Sequence, residues 1–174
     1  MKILLVEDDV PSRKNLSEFL ISLGHSVIES SDGKDAIEIL KKEKVSLVLS
    51  DIFMPRMDGY ELLKHIKQSR DLKDIIVVLI TGQGDIKGAI EAMRVGAYDY
   101  LLKPISVKEL AITIEKIDEY IHLKQEHMLL KKHFEQRLGE ATKKIKTELS
   151  ELKKAFAREV GIDNIGIFVS TKSL

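Results

Sequence analysis

The chain has no cysteine and no tryptophan, and only three prolines among its 174 residues. Without cysteine it has neither a disulfide framework nor a thiolate metal site, which fits a reducing compartment. No apolar run approaches the roughly eighteen residues of a membrane helix. The short apolar run at the N-terminus leads directly into three acids, unlike a signal peptide. We therefore expect a cytoplasmic protein with no membrane partner.

Charge of one sign is also missing, because 28 basic residues balance 28 acidic ones. A nucleic-acid-binding domain needs a concentrated basic face. The lysines between residues 132 and 154 are interleaved with glutamates, which favours a solvated helix face instead. The five histidines form no metal-ligand spacing. Contact with DNA is therefore not expected from these residues themselves.

Apolar runs of strand length alternate with amphipathic segments of helical period. The runs lie at 2–6, 26–29, 45–50, 75–80 and 98–102. Strands that alternate with helices indicate a parallel sheet covered on both faces. Five such units in about a hundred residues predict a flavodoxin-like, doubly wound (βα)5 domain of the α/β class.

The fifth helix has a clear start and no clear end. Ser106 and Glu109 form a capping-box pattern, and residues 106–160 contain no proline and one glycine, Gly139. Apolar residues recur at spacings of three and four, with successive fours that interrupt a heptad repeat. We predict an extended fifth helix over 106–160 that forms a coiled-coil linker and a homodimer. The alternative is a solvated helix that frays.

The last residues, 161–174, resemble a turn that enters a short strand, although no later segment follows for it to pair with. A lone strand is not stable in water. We therefore expect this segment to begin a further domain of a longer protein.

Acidic residues follow two of the predicted strands. Glu7, Asp8 and Asp9 come directly after the first run, and Asp51 follows the third. Because the carboxyl ends of parallel strands meet at one edge of a sheet, these carboxylates converge there. Mg²⁺ prefers oxygen ligands, neutralises such a cluster and in turn favours a phosphate. The sequence therefore predicts a Mg²⁺ site.

A set of short motifs occurs in a fixed order along residues 1–122. They are Glu7-Asp8, Asp51, Met54-Pro55, Asp58-Gly59, Thr81-Gly82 and Lys103-Pro104. This order resembles the receiver domain of two-component response regulators. The resemblance implies a signalling domain that is phosphorylated by a sensor histidine kinase.

The resemblance also assigns roles to single residues. Asp51 is the phosphoacceptor, and the Thr81 hydroxyl and the Lys103 ammonium contact the phosphoryl group, because phosphoryl transfer depends on positioning and charge stabilisation. Tyr100 resembles the aromatic switch residue of the family. Its neighbour Tyr98 is expected in the core.

The implied metal ligands are Asp8, Asp51 and the backbone carbonyl of Phe53. A second acid completes the site through water, and either Glu7 or Asp9 could supply it. The spacing relative to Asp51 favours Glu7.

Other classes of function fit the sequence less well. A phosphohydrolase that used Asp51 would need an acid two residues later, where Phe53 stands and cannot transfer a proton. A nucleotide-binding domain would need glycines after the first strand. We expect no enzyme activity beyond self-catalysed phosphoryl acceptance, and a scaffold that dimerises without phosphorylation remains an alternative.

Residues 80–101 are especially similar to receivers of the nitrogen-regulation (NtrC) class of sigma-54-dependent activators. That class joins a receiver and a helical linker to an AAA+ ATPase and a DNA-binding domain. The similarity implies transcription regulation, with DNA and sigma-54 polymerase contacted only through downstream domains. A receiver with a different output domain is the alternative.

Overall fold

The structure is a computed structural model that describes residues 1–82 and 86–159. It divides into two units, Met1–Ile121 and His122–Leu174. The strands are β1 (Lys2–Val6), β2 (Ser26–Ser30), β3 (Leu47–Asp51), β4 (Ile76–Thr81) and β5 (Asp99–Leu102). The helices are α1 (Val10–Ser22), α2 (Gly33–Leu40), α3 (Gly59–Gln68), α4 (Ile86–Val95) and α5 (Val107–Glu159).

The strands form one parallel sheet in the order β2-β1-β3-β4-β5. Strands β3 and β4 are buried along their whole length, as expected of central strands covered on both faces. The edge strand β5 is only partly buried. The predicted flavodoxin-like sheet is confirmed, and the strand limits differ from the predicted ones by at most two residues, a normal uncertainty for element ends.

Two separate apolar clusters cover the two faces of the sheet. One contains buried residues of α2, α3 and α4, such as Ile37, Leu63 and Ala92. The other contains Leu20 of α1 and Leu110 of α5, together with further α5 residues. Three helices therefore cover one face and two cover the other, which is the doubly wound arrangement.

Aspartates start three of the helices at the carboxyl edge of the sheet. Asp9, Asp32 and Asp58 cap α1, α2 and α3 by accepting hydrogen bonds from backbone N–H groups of the first turn. At α3 the Glu61 side chain also accepts from the N–H of Asp58, which completes a capping box. At α5 the Ser106 hydroxyl accepts from the N–H of Glu109 at 3.4 Å.

The predicted long fifth helix is confirmed, since α5 continues to Glu159. In its second-unit part, large apolar side chains are exposed in the single chain, and the coiled coil stays a prediction. The predicted start of a downstream domain at 161–174 lies outside the described residues. None of the helices in the described part of the chain is both long and apolar enough to span a membrane.

Gly59 allows the start of α3 to touch the end of β3. A Cβ atom at this position would lie 2.3 Å from the carbonyl oxygen of Asp51 and 2.9 Å from the Cα of Ile52. The Gly59 N–H donates to the Ile52 carbonyl at 2.9 Å. Because both obstructing atoms belong to the backbone, a side chain here must displace the strand end that carries Asp51.

We predict that Gly59→Ala lowers the free energy of unfolding of the receiver by about 1–3 kcal/mol, the usual cost of overpacking. The control is Gly139→Ala in α5, where a Cβ meets nothing within 4 Å and alanine is the better helix former. Urea unfolding followed by the tyrosine band of the near-ultraviolet circular dichroism reports on the receiver, because all four tyrosines lie in the first unit. Equal stability of the two variants would contradict the close-approach argument.

Candidate functional site

Three carboxylates meet at the carboxyl edge of the sheet. Strands β1 and β3 are neighbours, and Val6 of β1 is paired with Ser50 of β3. The residues that follow this pair therefore lie at the same level of the sheet. Carboxylate oxygens of Glu7, Asp8 and Asp51 lie within 4.8 Å of one another. The structure thus brings together three of the four acids that the sequence singled out.

The three acids differ in exposure. Glu7 is fully buried and Asp51 is 5% exposed, whereas Asp8 is exposed. Burial is the largest influence on Glu7 and raises its pKa above the ordinary value. The hydrogen bond from Lys103 opposes this rise, and the charge of Asp51 adds to it. Two deep acids and one accessible acid therefore surround the same point.

Lys103 connects the two buried acids. Its ammonium nitrogen donates to Asp51 Oδ2 at 2.5 Å and to Glu7 Oε2 at 3.0 Å. Burial by itself would lower the pKa of Lys103, but the hydrogen bonds and charges of Asp51 and Glu7 outweigh burial and raise it. The lysine therefore stays a cation and holds the carboxyl ends of β1, β3 and β5 together, since Glu7 follows β1, Asp51 ends β3 and Lys103 follows β5.

Backbone contacts fix the end of β5 beside β4. The Lys103 N–H donates to the carbonyl oxygen of Thr81 at 2.7 Å, and the Lys103–Pro104 peptide bond is cis. Thr81 is the last residue of β4 and is 1% exposed. Asp51 is paired with Ile80, so Thr81 lies one residue beyond that pair. The position of Thr81 is compatible with its predicted contact to a phosphoryl group, and that role stays a prediction.

Phe53 and Asp9 lie beside the carboxylate cluster of Glu7, Asp8 and Asp51 and do not belong to it. The Phe53 N–H donates to Asp51 Oδ1 at 3.3 Å, and the residue is 64% exposed. Asp9 caps α1, where its carboxylate accepts from the N–H of Ser12 at 2.9 Å. The geometry therefore favours Glu7 over Asp9 as the second acid, and the predicted metal contact of the Phe53 carbonyl stays a prediction.

The two tyrosines near β5 are both accessible. Tyr98 is 37% exposed, so the prediction that it belongs to the core is wrong. The reason is its position beside an edge strand, where its ring contacts Tyr120 with centroids 5.7 Å apart. Tyr100 is 40% exposed, and its role as a switch stays a prediction.

Two arginines at the site were not found by sequence reasoning. Arg13 of α1 donates through Nη1 to the backbone carbonyls of Glu7 at 2.5 Å and Asp8 at 3.3 Å. These bonds fix the loop that presents both acids. An arginine one turn into the helix after an acidic loop is a signal that could have indicated this contact.

The second arginine, Arg56, lies in the loop that follows Asp51. Its guanidinium pairs with the buried Asp32 and with Asp35, the latter at 2.9 Å. Its backbone has φ of 67°, a left-handed conformation that is rare outside glycine. The pairs with Asp32 and Asp35 tie the loop after Asp51 to the start of α2. Asp32 follows β2 at the same sheet edge as the other acids, and this position is the signal for the contact that the sequence offers.

An acidic crevice closed by a lysine, at the carboxyl edge of a sheet ordered β2-β1-β3-β4-β5, defines the receiver class of α/β proteins. Residues 3–115 match the response regulator receiver domain family, and the chain belongs to that family.

Curated relatives match the receiver and not their whole length. The response regulator protein FleR of Pseudomonas aeruginosa is 42% identical over 109 residues, which are 63% of this chain and 23% of FleR. The probable transcriptional regulator ycf27 of Porphyridium aerugineum is 34% identical over 116 residues. That match covers 67% of this chain and 47% of the relative. The chain therefore spans about half the length, or less, of these relatives.

Solved structures are likewise similar to part of this chain. A response regulator receiver domain protein from Clostridium thermocellum has a TM-score of 0.65 and 30% identity, covering 70% of this chain and 97% of that one. NtrX from Brucella abortus has a TM-score of 0.68 and 34% identity, covering 74% of this chain and 29% of that one. Both likenesses include the receiver fold.

We predict that Lys103→Gln lowers the free energy of unfolding in metal-free buffer by about 1–3 kcal/mol. The reason is that the buried Glu7 and Asp51 lose their shared cation. The control is Lys108→Gln on the exposed surface of α5. Urea unfolding in the presence of a chelator measures both variants, and a Lys103 variant as stable as the control would contradict a stabilising bridge.

Proposed function

We propose that this chain is the receiver of a phosphorylation-dependent response regulator, and that Asp51 accepts the phosphoryl group from a sensor histidine kinase. The observation that carries the proposal is the arrangement of Asp51 beside Lys103 and two further acids. Phosphoryl transfer requires little beyond positioning and neutralisation of charge. Those are the two things that this crevice offers.

The acids fit Mg²⁺ by their chemistry. Three carboxylates share one ammonium group, so negative charge is in excess, and all the available donors are the oxygens that Mg²⁺ prefers. Asp8 and Asp51 would hold the ion with the Phe53 carbonyl, and Glu7 would contact it through water. When bound, the ion supplies neutralisation of the phosphoryl oxygens.

The residues of the chain carry the transfer itself. An Asp51 carboxylate oxygen forms a bond to phosphorus while the bond from phosphorus to the imidazole nitrogen of the phosphohistidine breaks, and the imidazole keeps that electron pair. Lys103 pairs with the new phosphoryl oxygens as a point charge. The Thr81 hydroxyl donates to another of them. The chain itself needs no further catalytic group, so we regard it as an acceptor and not as an enzyme with a separate substrate.

A groove beside the site suits a protein partner. It has a volume of about 420 Å³ and lies next to Lys103. Its apolar walls come from α1, the β5–α5 loop and α5, and include Leu16, Phe19, Ile105 and Leu110. A sensor kinase that docks there brings its phosphohistidine close to Asp51.

We extend the proposal to the output. Leu110 and Ile117 of α5 belong to the receiver core, and the same helix carries exposed apolar residues farther along. A dimer that forms through α5 would therefore connect the receiver to a downstream output domain. The ycf27 relatives are described as transcriptional regulators. One NtrX structure is a complex with ADP, and the match covers 28% of that chain. The ycf27 relatives support a transcriptional output in general, and the likeness to NtrX is what favours the nitrogen-regulation class with a downstream AAA+ domain. In this proposal Tyr100 is the switch residue.

We predict that Asp51→Asn abolishes phosphorylation, because the amide keeps the size of the side chain and loses the nucleophile. The measurement is intact mass after incubation with Mg²⁺ and a small acyl phosphate. Asp9→Asn is the matched control, since asparagine remains a good helix cap and the carboxylate cluster of Glu7, Asp8 and Asp51 is kept. A phosphoryl mass on the Asp51 variant would refute the acceptor assignment, and none on the unmodified chain would favour the phosphorylation-independent scaffold.

We predict that Mg²⁺ binding depends strongly on Asp8 and little on Asp9. Asp8→Asn should weaken Mg²⁺ binding by at least about tenfold, which corresponds to about 1.4 kcal/mol, because Asp8 is the accessible member of the cluster. Asp9→Asn should change it little. Calorimetric titration of Mg²⁺ into both variants checks this, and equal losses would show that the choice of Glu7 over Asp9 is wrong.

A further inference from the structure

Most of the large exposed apolar residues of α5 from Leu123 onward repeat every eleven residues; Met128 and Leu129 do not. Leu138 and Leu149 are eleven apart, and so are Ala141 and Leu152. A third series with the same spacing consists of Leu123, Phe134, Ile145 and Phe156. The large members of these series are between 50% and 70% exposed in the single chain. We call this set, with Leu130, the α5 stripe.

The eleven-residue period distinguishes the α5 stripe from an ordinary heptad seam. A heptad that continued from Leu130 and Phe134 would place Arg137, Lys144 and Glu148 in the seam. The eleven-residue period places Ile145 and Leu149 there instead. Such a repeat averages about 3.67 residues per turn, which favours a right-handed supercoil over the left-handed one of heptads.

Opposite charges border the α5 stripe on its two sides. At the eleven-residue spacing, one border carries Glu126, Arg137 and Glu148 and has a net negative charge. The other border carries Lys131, Thr142 and Lys153 and has a net positive charge. The side chains of both borders are exposed. Within its own helix Glu148 lies 3.9 Å from Lys144, an exposed pair that contributes little and can be exchanged. Each helix therefore has one border of net negative charge and one of net positive charge, on opposite sides of the α5 stripe.

The borders determine which orientation a second copy can take. In a parallel pair related by a two-fold axis, the acidic border of each helix faces the basic border of the other. Glu126 and Glu148 then each meet a lysine five residues farther along the partner, as flanking positions of coiled coils do, and Arg137 meets the uncharged Thr142. In an antiparallel pair the lysine borders face each other, and like charges repel. Charge complementarity therefore selects the parallel pair.

We propose that the α5 stripe binds a second copy of this chain in parallel and in register, with the two helices winding in a right-handed sense. This inference deepens the dimeric linker of the proposed function and rests on it. Exposed apolar stripes of this length are uncommon on monomers, and isolated helices are marginal in water. A second copy supplies both the burial and the complementary charges.

Single cysteines in the full chain test orientation and period, because the chain has no cysteine of its own. We expect each of the variants Phe134→Cys, Ile145→Cys and Phe156→Cys to form a disulfide-linked dimer under mild oxidation, since equivalent core positions approach within disulfide reach. The matched control is Lys144→Cys, adjacent to Ile145, which should link at least about tenfold more slowly. An antiparallel pair would link at most one of the three positions, and a heptad seam would link residue 144. Either result would overturn the proposal, as would the absence of links at all three positions.

Charge exchange gives a second readout that does not depend on oxidation. Lys153→Glu should raise the dimer dissociation constant about two- to tenfold, because two glutamates then face each other. Adding Glu148→Lys should restore it, and sedimentation equilibrium at low salt measures both. Tighter association of Lys153→Glu would indicate an antiparallel pair and refute the proposal.

Failure of the parallel dimer and failure of the proposed phosphoryl acceptance can be distinguished. All these substitutions lie outside the first unit, so each variant can also be tested for phosphorylation of Asp51 by intact mass. A chain that accepts the phosphoryl group and stays monomeric overturns the parallel pair alone. A chain that forms the linked parallel dimer and accepts no phosphoryl group overturns the proposed function alone.

Discussion

The site depends on one electrostatic constraint, the shared use of a single ammonium group by two buried acids. Lys103 lies 2.5 Å from Asp51 and 3.0 Å from Glu7, and neither acid is more than 5% exposed. Removing charges from water is costly unless they are paired. The three groups therefore hold one another in place, and they lie at or directly after the ends of β1, β3 and β5. Because Asp8 adds a third carboxylate, the balance stays negative, which leaves room for a cation and a phosphate.

The surrounding loops keep this charged group in position. Arg13 binds the carbonyls of the acidic loop, and Arg56 ties the loop after Asp51 to Asp32. Gly59 lets α3 begin directly against the backbone of Asp51. Each contact fixes a loop or a backbone segment that lies next to a strand end, so the carboxylates are held in place by the fold itself. Such preorganisation is what lets a small domain stabilise a charged transition state.

The parts of this arrangement that could be read from the sequence are those with a local or periodic signal. Strand ends, the acids after them and the long helix follow from runs and spacings, and their convergence follows from the rule for parallel strands. The contact of Arg56 with Asp32 joins residues that are 24 positions apart and needs an unusual backbone angle, so no local pattern contains it. The exposure of Tyr98 could not be predicted for a similar reason. Composition alone does not distinguish an edge strand from a central one, and the strand order that makes β5 an edge is not visible in the sequence.

The proposed phosphoryl group would act on the same constraint that holds the site together. Phosphorylated Asp51 carries more negative charge than the carboxylate and offers phosphoryl oxygens to Lys103. The Lys103 ammonium would then donate more strongly to the phosphoryl group and less strongly to Glu7. Glu7 is fully buried and its carboxylate accepts its hydrogen bonds from Lys103, so its electrostatic environment would change when the lysine shifts toward the phosphoryl group. Thr81 and Lys103 are joined by a backbone hydrogen bond of 2.7 Å, which couples β4 to the segment that leads into α5. A change of charge at Asp51 thus has a contiguous physical route to the helix that carries the α5 stripe.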